Sequence, residues 1–213
     1  MRRLRQYSLR SLLVATLICA IVVAWYSRGY RRRQQFQRDM QTLSDMNIVF
    51  NVHTGDGQIS SMRAYGGLGS AERFDKFCAI AERQPRLRGV SACWSDLSEA
   101  QVARLLALPV KALMIEQCSA GGTLRAEASP TLTRLGLPRT RIDDHSLAAL
   151  GELPNVEHLD LTRTRVSDRS IDYLAGRKRL KLVILARCKV TAEGAQRLRR
   201  LRPDMKVGWE PLR

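Results

Sequence analysis

Leu132-x-x-Leu135-x-Leu137-x-x-Thr140-x-Ile142 recurs as Val156-x-x-Leu159-x-Leu161-x-x-Thr164-x-Val166, and again as Leu180-x-x-Val183-x-Leu185-x-x-Cys188-x-Val190, at a constant spacing of 24 residues. The first half of each copy alternates apolar and polar residues with period two, which predicts a short strand. The second half changes to helical spacing, with Ile142, Leu147 and Leu150 in one copy and Val166, Ile171 and Leu174 in the next. A strand and a helix this short cannot bury their own apolar faces. Such units are expected to stack side by side, with the strands forming a continuous surface.

Weaker copies extend the pattern in both directions. Val110-x-x-Leu113-x-Ile115-x-x-Cys118-x-Ala120 opens a 22-residue unit, and Leu87-x-x-Val90-x-Ala92-x-x-Ser95-x-Leu97 opens a 23-residue unit before it. Downstream, Met205 to Trp209 falls where a closing strand belongs, with Val207 and Trp209 facing inward. Asp143, Ser167 and Thr191 stand where helix N-caps are expected. Ser98-x-x-Gln101 before Val102 fits a capping box. Pro109, Pro154 and Pro203 fall where each helix must stop.

This pattern resembles the leucine-rich repeat family. The ninth position holds Ser95, Cys118, Thr140, Thr164 and Cys188 where many such repeats carry Asn, so the chain is similar to the cysteine-containing and ribonuclease-inhibitor-like classes. The resemblance covers residues 87–210 and extends to membrane-anchored repeat proteins of bacteria. It implies an α/β fold, a right-handed solenoid with parallel strands inside and helices outside. It implies no activity. The substrate receptors of ubiquitin ligases in the same repeat class carry an F-box ahead of the repeats. Here an apolar segment takes that place, so their function does not transfer.

The front of the chain reads differently. Leu12 to Tyr26 is apolar except for Thr16, with Trp25 and Tyr26 at one end. Arg2, Arg3, Arg5 and Arg10 precede it, and Arg28, Arg31, Arg32, Arg33 and Arg38 follow. The expectation is a single-pass transmembrane helix within residues 11–27, and hence a membrane localisation. A cleaved signal peptide is the rival, with Val22-x-Ala24 as its site. A lipoprotein reading fails at Cys19, because Ile18 before it is not small. Arginines on both flanks leave the side facing the repeats undetermined. The expected organisation is therefore a membrane anchor at 1–28, a helical stalk at 29–46 and a capping hairpin and helix at 47–86. About five repeats with a closing strand follow at 87–213. Within the cap, Ile48 to Val52 and Ile59 to Tyr65 form the hairpin around Gly55-Asp56-Gly57, and residues 70–83 form the helix.

The formal charge of +16 is concentrated at the two ends. The C-terminal block includes Arg197, Arg199, Arg200 and Arg202 on the last predicted helix. That cluster reads as a solvated face or as a contact for anionic lipid or an acidic partner. The five cysteines, Cys19, Cys78, Cys93, Cys118 and Cys188, have no disulfide or metal-site spacing. Neither metal nor cofactor is expected. Of the three histidines, His53 lies beside the hairpin turn and His145 in the first turn of a helix. His158 alone shares a strand face with Asp160. A strand's period explains that adjacency, and no third polar partner converges, so catalysis is not expected.

What remains is the concave face. The eighth position of each unit carries Trp94, Gln117, Arg139, Arg163 and Arg187, and a second row follows with Arg141, Arg165 and Lys189. With His158 and Asp160 these form the expected partner-binding surface. The expected function is protein binding or scaffolding, with an acidic protein as partner. Binding of an anionic ligand such as nucleic acid or lipid is the alternative. Nucleic acid is disfavoured because Trp94 is the only clear stacking residue there.

Overall fold

The computed structural model describes residues 9–52, 59–117, 129–151 and 153–212, without the side chains of 9–15 and 50–52. The turn at Gly55–Gly57, His53, Cys118 and the first arginines lie outside the described residues. The chain forms two compact units, Met1–Thr42 and Leu43–Arg213.

One helix, α1, runs from Leu9 to Asp45 without a break between the expected anchor and stalk. Among the described residues, no helix is long and apolar enough to cross a membrane. This corrects the expected transmembrane helix and single-pass membrane localisation. The apolar run from Leu12 to Tyr26 covers roughly 22 Å of helix, where a bilayer core needs about 30 Å. From Arg28 onward the helix is rich in arginine.

The second unit is one eight-stranded sheet, with its strands in chain order. Strands β1 (Ile48–Val52) and β2 (Ile59–Tyr65) form an antiparallel hairpin. Parallel strands follow: β3 (Gly89–Cys93), β4 (Ala112–Glu116), β5 (Arg134–Gly136), β6 (His158–Asp160), β7 (Leu182–Ala186) and β8 (Lys206–Glu210). The fold is thus α/β with a mostly parallel sheet, and this description replaces the expected right-handed solenoid behind a membrane helix. The sheet opens with an antiparallel pair. Its connecting helices are also unequal, from the 13 residues of α2 (Ala71–Arg83) to the six of α4 (Asp144–Ala149). The others are α3 (Glu99–Ala107), α5 (Ile171–Gly176, entered through a 3-10 turn at Asp168–Ser170) and α6 (Ala192–Leu201).

The register explains the core. Met62, Val90, Leu113, Leu135, Leu159, Val183 and Val207 are successive neighbours across the sheet. All but Val207 are almost fully buried. Burying each such side chain contributes about 1.5–3 kcal/mol. Phe77, Val102, Leu147, Leu174 and Leu198 supply the buried sides of the helices.

The expected caps form. Ser98 and Gln101 make a complete capping box, while Asp143 and Thr191 accept from Ser146 and Gly194. A further layer joins one unit to the next. The Asp144 carboxylate accepts from the Ser167 amide at 2.8 Å, the Ser167 hydroxyl at 2.6 Å and the Ser170 hydroxyl. Asp168 accepts from the Thr191 amide at 2.9 Å and its hydroxyl at 2.7 Å. The first acid of one helix therefore holds the N-cap of the next. Gly194 gives Asp168 room, because a Cβ there would overlap its carboxylate.

Candidate partner-binding face

The side of the sheet away from the helices carries a groove of about 540 Å³ reaching from β1 to β7. Its floor comes from the strand positions that alternate with the buried ones. Gly89, Ala112, Arg134, His158 and Leu182 form one row in register. Arg63, Ser91, Met114, Gly136, Asp160 and Ile184 form the next. Gly136 matters to its shape. A Cβ there would stand 2.5 Å from the Met114 sulfur, so the glycine lets the methionine lie across the floor.

His158 and Asp160 are the two expected site residues that line this groove. Asp160 accepts from the Thr162 amide at 2.9 Å and from its hydroxyl, so its carboxylate closes the turn after β6. That engagement gives Asp160 a structural use. No cluster of metal-binding side chains occurs among the described residues.

The eighth-position residues stand on the rim instead of the floor. A ladder of backbone bonds sets them one strand apart. The Trp94 amide donates to the Glu116 carbonyl, Gln117 to Pro138, Arg139 to Thr162, Arg163 to Ala186 and Arg187 to Glu210. All five have positive φ, between 50° and 56°. Left-handed backbone costs roughly 1–2 kcal/mol for a residue with a Cβ. Sequence reasoning missed this, because Trp, Gln and Arg do not advertise a left-handed turn as Gly or Asn would. The constant register at the strand ends was the available signal. The second row, Arg141, Arg165 and Lys189, is exposed one turn further on.

The two ends of the rim differ. Trp94 stacks on Tyr65 with ring centroids 5.6 Å apart and an interplanar angle of 29°. Its Nε1 donates to Gln117 Oε1 at 2.7 Å. Arg63 donates to the Tyr65 hydroxyl at 3.1 Å. Val49, Tyr65, Trp94 and Met114 are all exposed. At the other end, Arg139 lies 3.7 Å from Glu116, and Arg187 pairs with Glu210 at 3.1 Å. Arg163 between them has no carboxylate within ion-pair range among the described residues. Tyr65, Arg63 and Val49 were not expected here, because the β1–β2 hairpin read as a cap apart from the repeat surface.

The basic cluster on the last helix is largely committed elsewhere. Arg197 pairs with Asp172 at 2.7 Å, and Arg199 donates to the Val207 carbonyl at 3.0 Å. Arg202 donates to the carbonyls of Ala175, Arg177, Lys178 and Leu180 and pairs with Asp204. Cys78, Cys93 and Cys188 are buried free thiols. Burial pushes the Cys78 thiol up to about 12, which keeps it unreactive. No family model matches the chain, and no curated protein matches it either.

Proposed function

We propose that the chain is a non-catalytic binding module that holds a protein partner on the open face of its sheet. The groove across seven strands carries this reading. It combines an apolar floor at Val49, Met114, Leu182 and Ile184 with polar groups at Ser61, Ser91, Arg134 and His158. An open surface that mixes an apolar centre with polar groups suits a protein ligand. A second reading, capture of an anionic ligand along the rim, draws on Arg163, Arg141, Arg165 and Lys189. These are exposed cations with no ion-pair partner among the described residues.

Site-specific photo-crosslinking tests the first reading. A photoreactive residue at Ser91, on the floor, should capture protein in the native cell. The same residue at Gln196, exposed on α6, should not capture that protein. Gly136→Leu, which fills the groove, should abolish the Ser91 product. Equal capture from both positions, or capture indifferent to Gly136→Leu, would reject the open face as the binding site.

A further inference from the structure

Resting on that reading, we infer that the partner presents an extended acidic peptide with one aromatic anchor, which stacks on the Tyr65–Trp94 pair while its carboxylates meet the rim guanidiniums near Arg163. Three observations carry this.

The first is the aromatic corner. Tyr65 is 46% and Trp94 52% exposed, although the two rings are already stacked on each other. The indole N–H is occupied by Gln117, so the ring offers its face and not a hydrogen bond. That bond and the left-handed backbone at Trp94 fix the ring's orientation before anything binds. Trp, Tyr and Arg dominate binding hot spots because they offer large contact area, and Arg63 completes such a trio here. A flat aromatic side chain extends this stack at little entropic cost.

The second is charge. Past Gln117 the rim continues as Arg139, Arg163 and Arg187. Glu116 and Glu210 answer the outer two, which leaves the middle guanidinium for an incoming carboxylate. Arg165 and Lys189 stand exposed behind it.

The third is spacing. Three strand steps separate Trp94 from Arg163, about 14 Å at ~4.8 Å per strand. An extended chain covers that distance in about four residues at ~3.3 Å each. Its intervening side chains would alternate between solvent and the floor at Met114 and Gly136. Single-stranded nucleic acid fits less well. It needs successive stacking platforms, and the rim positions after Trp94 hold no ring.

The test uses the purified full chain and fluorescently labelled synthetic peptides, read by anisotropy. One peptide carries Phe with a Glu-Glu pair four residues on. Controls carry the pair one residue on, or Ser in place of Phe, and an oligothymidylate serves as competitor. The four-residue peptide should bind at least tenfold more tightly than either control. Trp94→Ala and Arg163→Glu should each weaken it at least tenfold. Trp94→Phe should retain most of the affinity, and Arg163→Glu should also flatten the salt dependence. Thermal melts of each variant check that the fold survives. Equal binding of all the acidic peptides would leave charge alone and overturn the inference. So would displacement by oligothymidylate at lower concentration than by the peptide. If no peptide binds while the Ser91 crosslink persists, this inference fails and the proposed function stands. If the crosslink is lost as well, both fail.

Discussion

The helix side of the sheet and its open face carry the same 24-residue spacing, yet repetition has opposite consequences on the two sides. On the helix side, a copied polar group finds its partner in the next unit. Asp144 holds Ser167 and Ser170, and Asp168 holds Thr191. Ala192 then stands where a third acid would be, and the ladder ends. On the open face the copied arginines stand side by side, and only the outer two meet a carboxylate, Glu116 and Glu210. Arg139, Arg163 and Arg187 are stacked one strand apart with left-handed backbones, a placement that offers no mutual bond. Repetition therefore stabilises one side and strains the other, and each variant below probes one side of that contrast.

The largest effect is expected at Arg202, which belongs to the helix side although its charge made it look like surface. Its side chain is 12% exposed, and its guanidinium reaches four carbonyls and Asp204. Arg202→Ala strips donors from several carbonyls together and should cost about 2–4 kcal/mol. Arg202→Lys keeps the charge but has fewer donors in a different geometry, so it should recover less than half. Urea melts would measure both. Equal stability of Arg202→Lys and wild type would mean that charge, and not the fork of donors, is what matters.

The Asp144 ladder comes next. Burial pushes its carboxyl up, but hydrogen bonds from Ser167 and Ser170 outweigh this and hold it below the ordinary value. Bonds from the Ser146 amide and hydroxyl likewise lower Asp143. A carboxyl lowered on folding adds stability that is complete above its unfolded value, near ~3.9. That stability disappears as pH falls through the folded value. The melting midpoint should therefore drop below about pH 4. Asp144→Asn should lower stability at pH 7 by about 1–2 kcal/mol and make the acid slope shallower. An unchanged slope would assign the acid loss to other carboxyls.

Much of the helix side was legible from sequence. Strand alternation, helical spacing and the caps at Ser98, Asp143 and Thr191 are local signals, and each copy repeats them. What the caps bond to across units was not legible, because it depends on register. Arg202 was misread for the same reason, since the carbonyls it satisfies lie more than 20 residues earlier. On the open face, His158 and Asp160 were visible as a strand pair. Tyr65 was not, because its place beside Cys93 follows only once β2 joins the parallel sheet. The apolar run at the N-terminus was overread. Its arginine flanks and aromatic end suit a membrane span, but among the described residues no helix is long and apolar enough to cross one.

The ninth positions give a finer comparison within the core. Thr140 Oγ1 donates to the Leu137 carbonyl at 2.7 Å, and Thr164 Oγ1 donates to Leu161 at 2.7 Å. The Leu161 carbonyl also accepts from the Thr164 amide and from Cys188 Sγ. Removing one donor should therefore matter less at Thr164. Thr140→Val is expected to cost about 1–2 kcal/mol and Thr164→Val about 0.5–1 kcal/mol. Denaturant midpoints giving the reverse order would mean that Cys188 does not support Leu161. With Cys188→Ala added, Thr164→Val should cost more than it does in wild type, because only the Thr164 amide then still donates to Leu161.

The smallest effect on stability, and the sharpest statement about the open face, is expected at Arg163. Its φ of 56° suits glycine, which has no Cβ penalty there. The guanidinium is exposed and has no ion pair among the described residues, so removing it forfeits little. Arg163→Gly should therefore leave stability within about 0.5 kcal/mol of wild type or raise it slightly, since relief of strain offsets glycine's greater unfolded freedom. Arg163→Val should lower it by about 1 kcal/mol or more, because a branched side chain is least at ease in this region. The same Arg163→Gly change should weaken the crosslinked partner. A protein that melts no lower but binds less would show that arginine sits at this position for its ligand and against its backbone. If stability falls by as much as in Arg163→Val, the side chain supports the fold, and the contrast between the two sides of the sheet disappears.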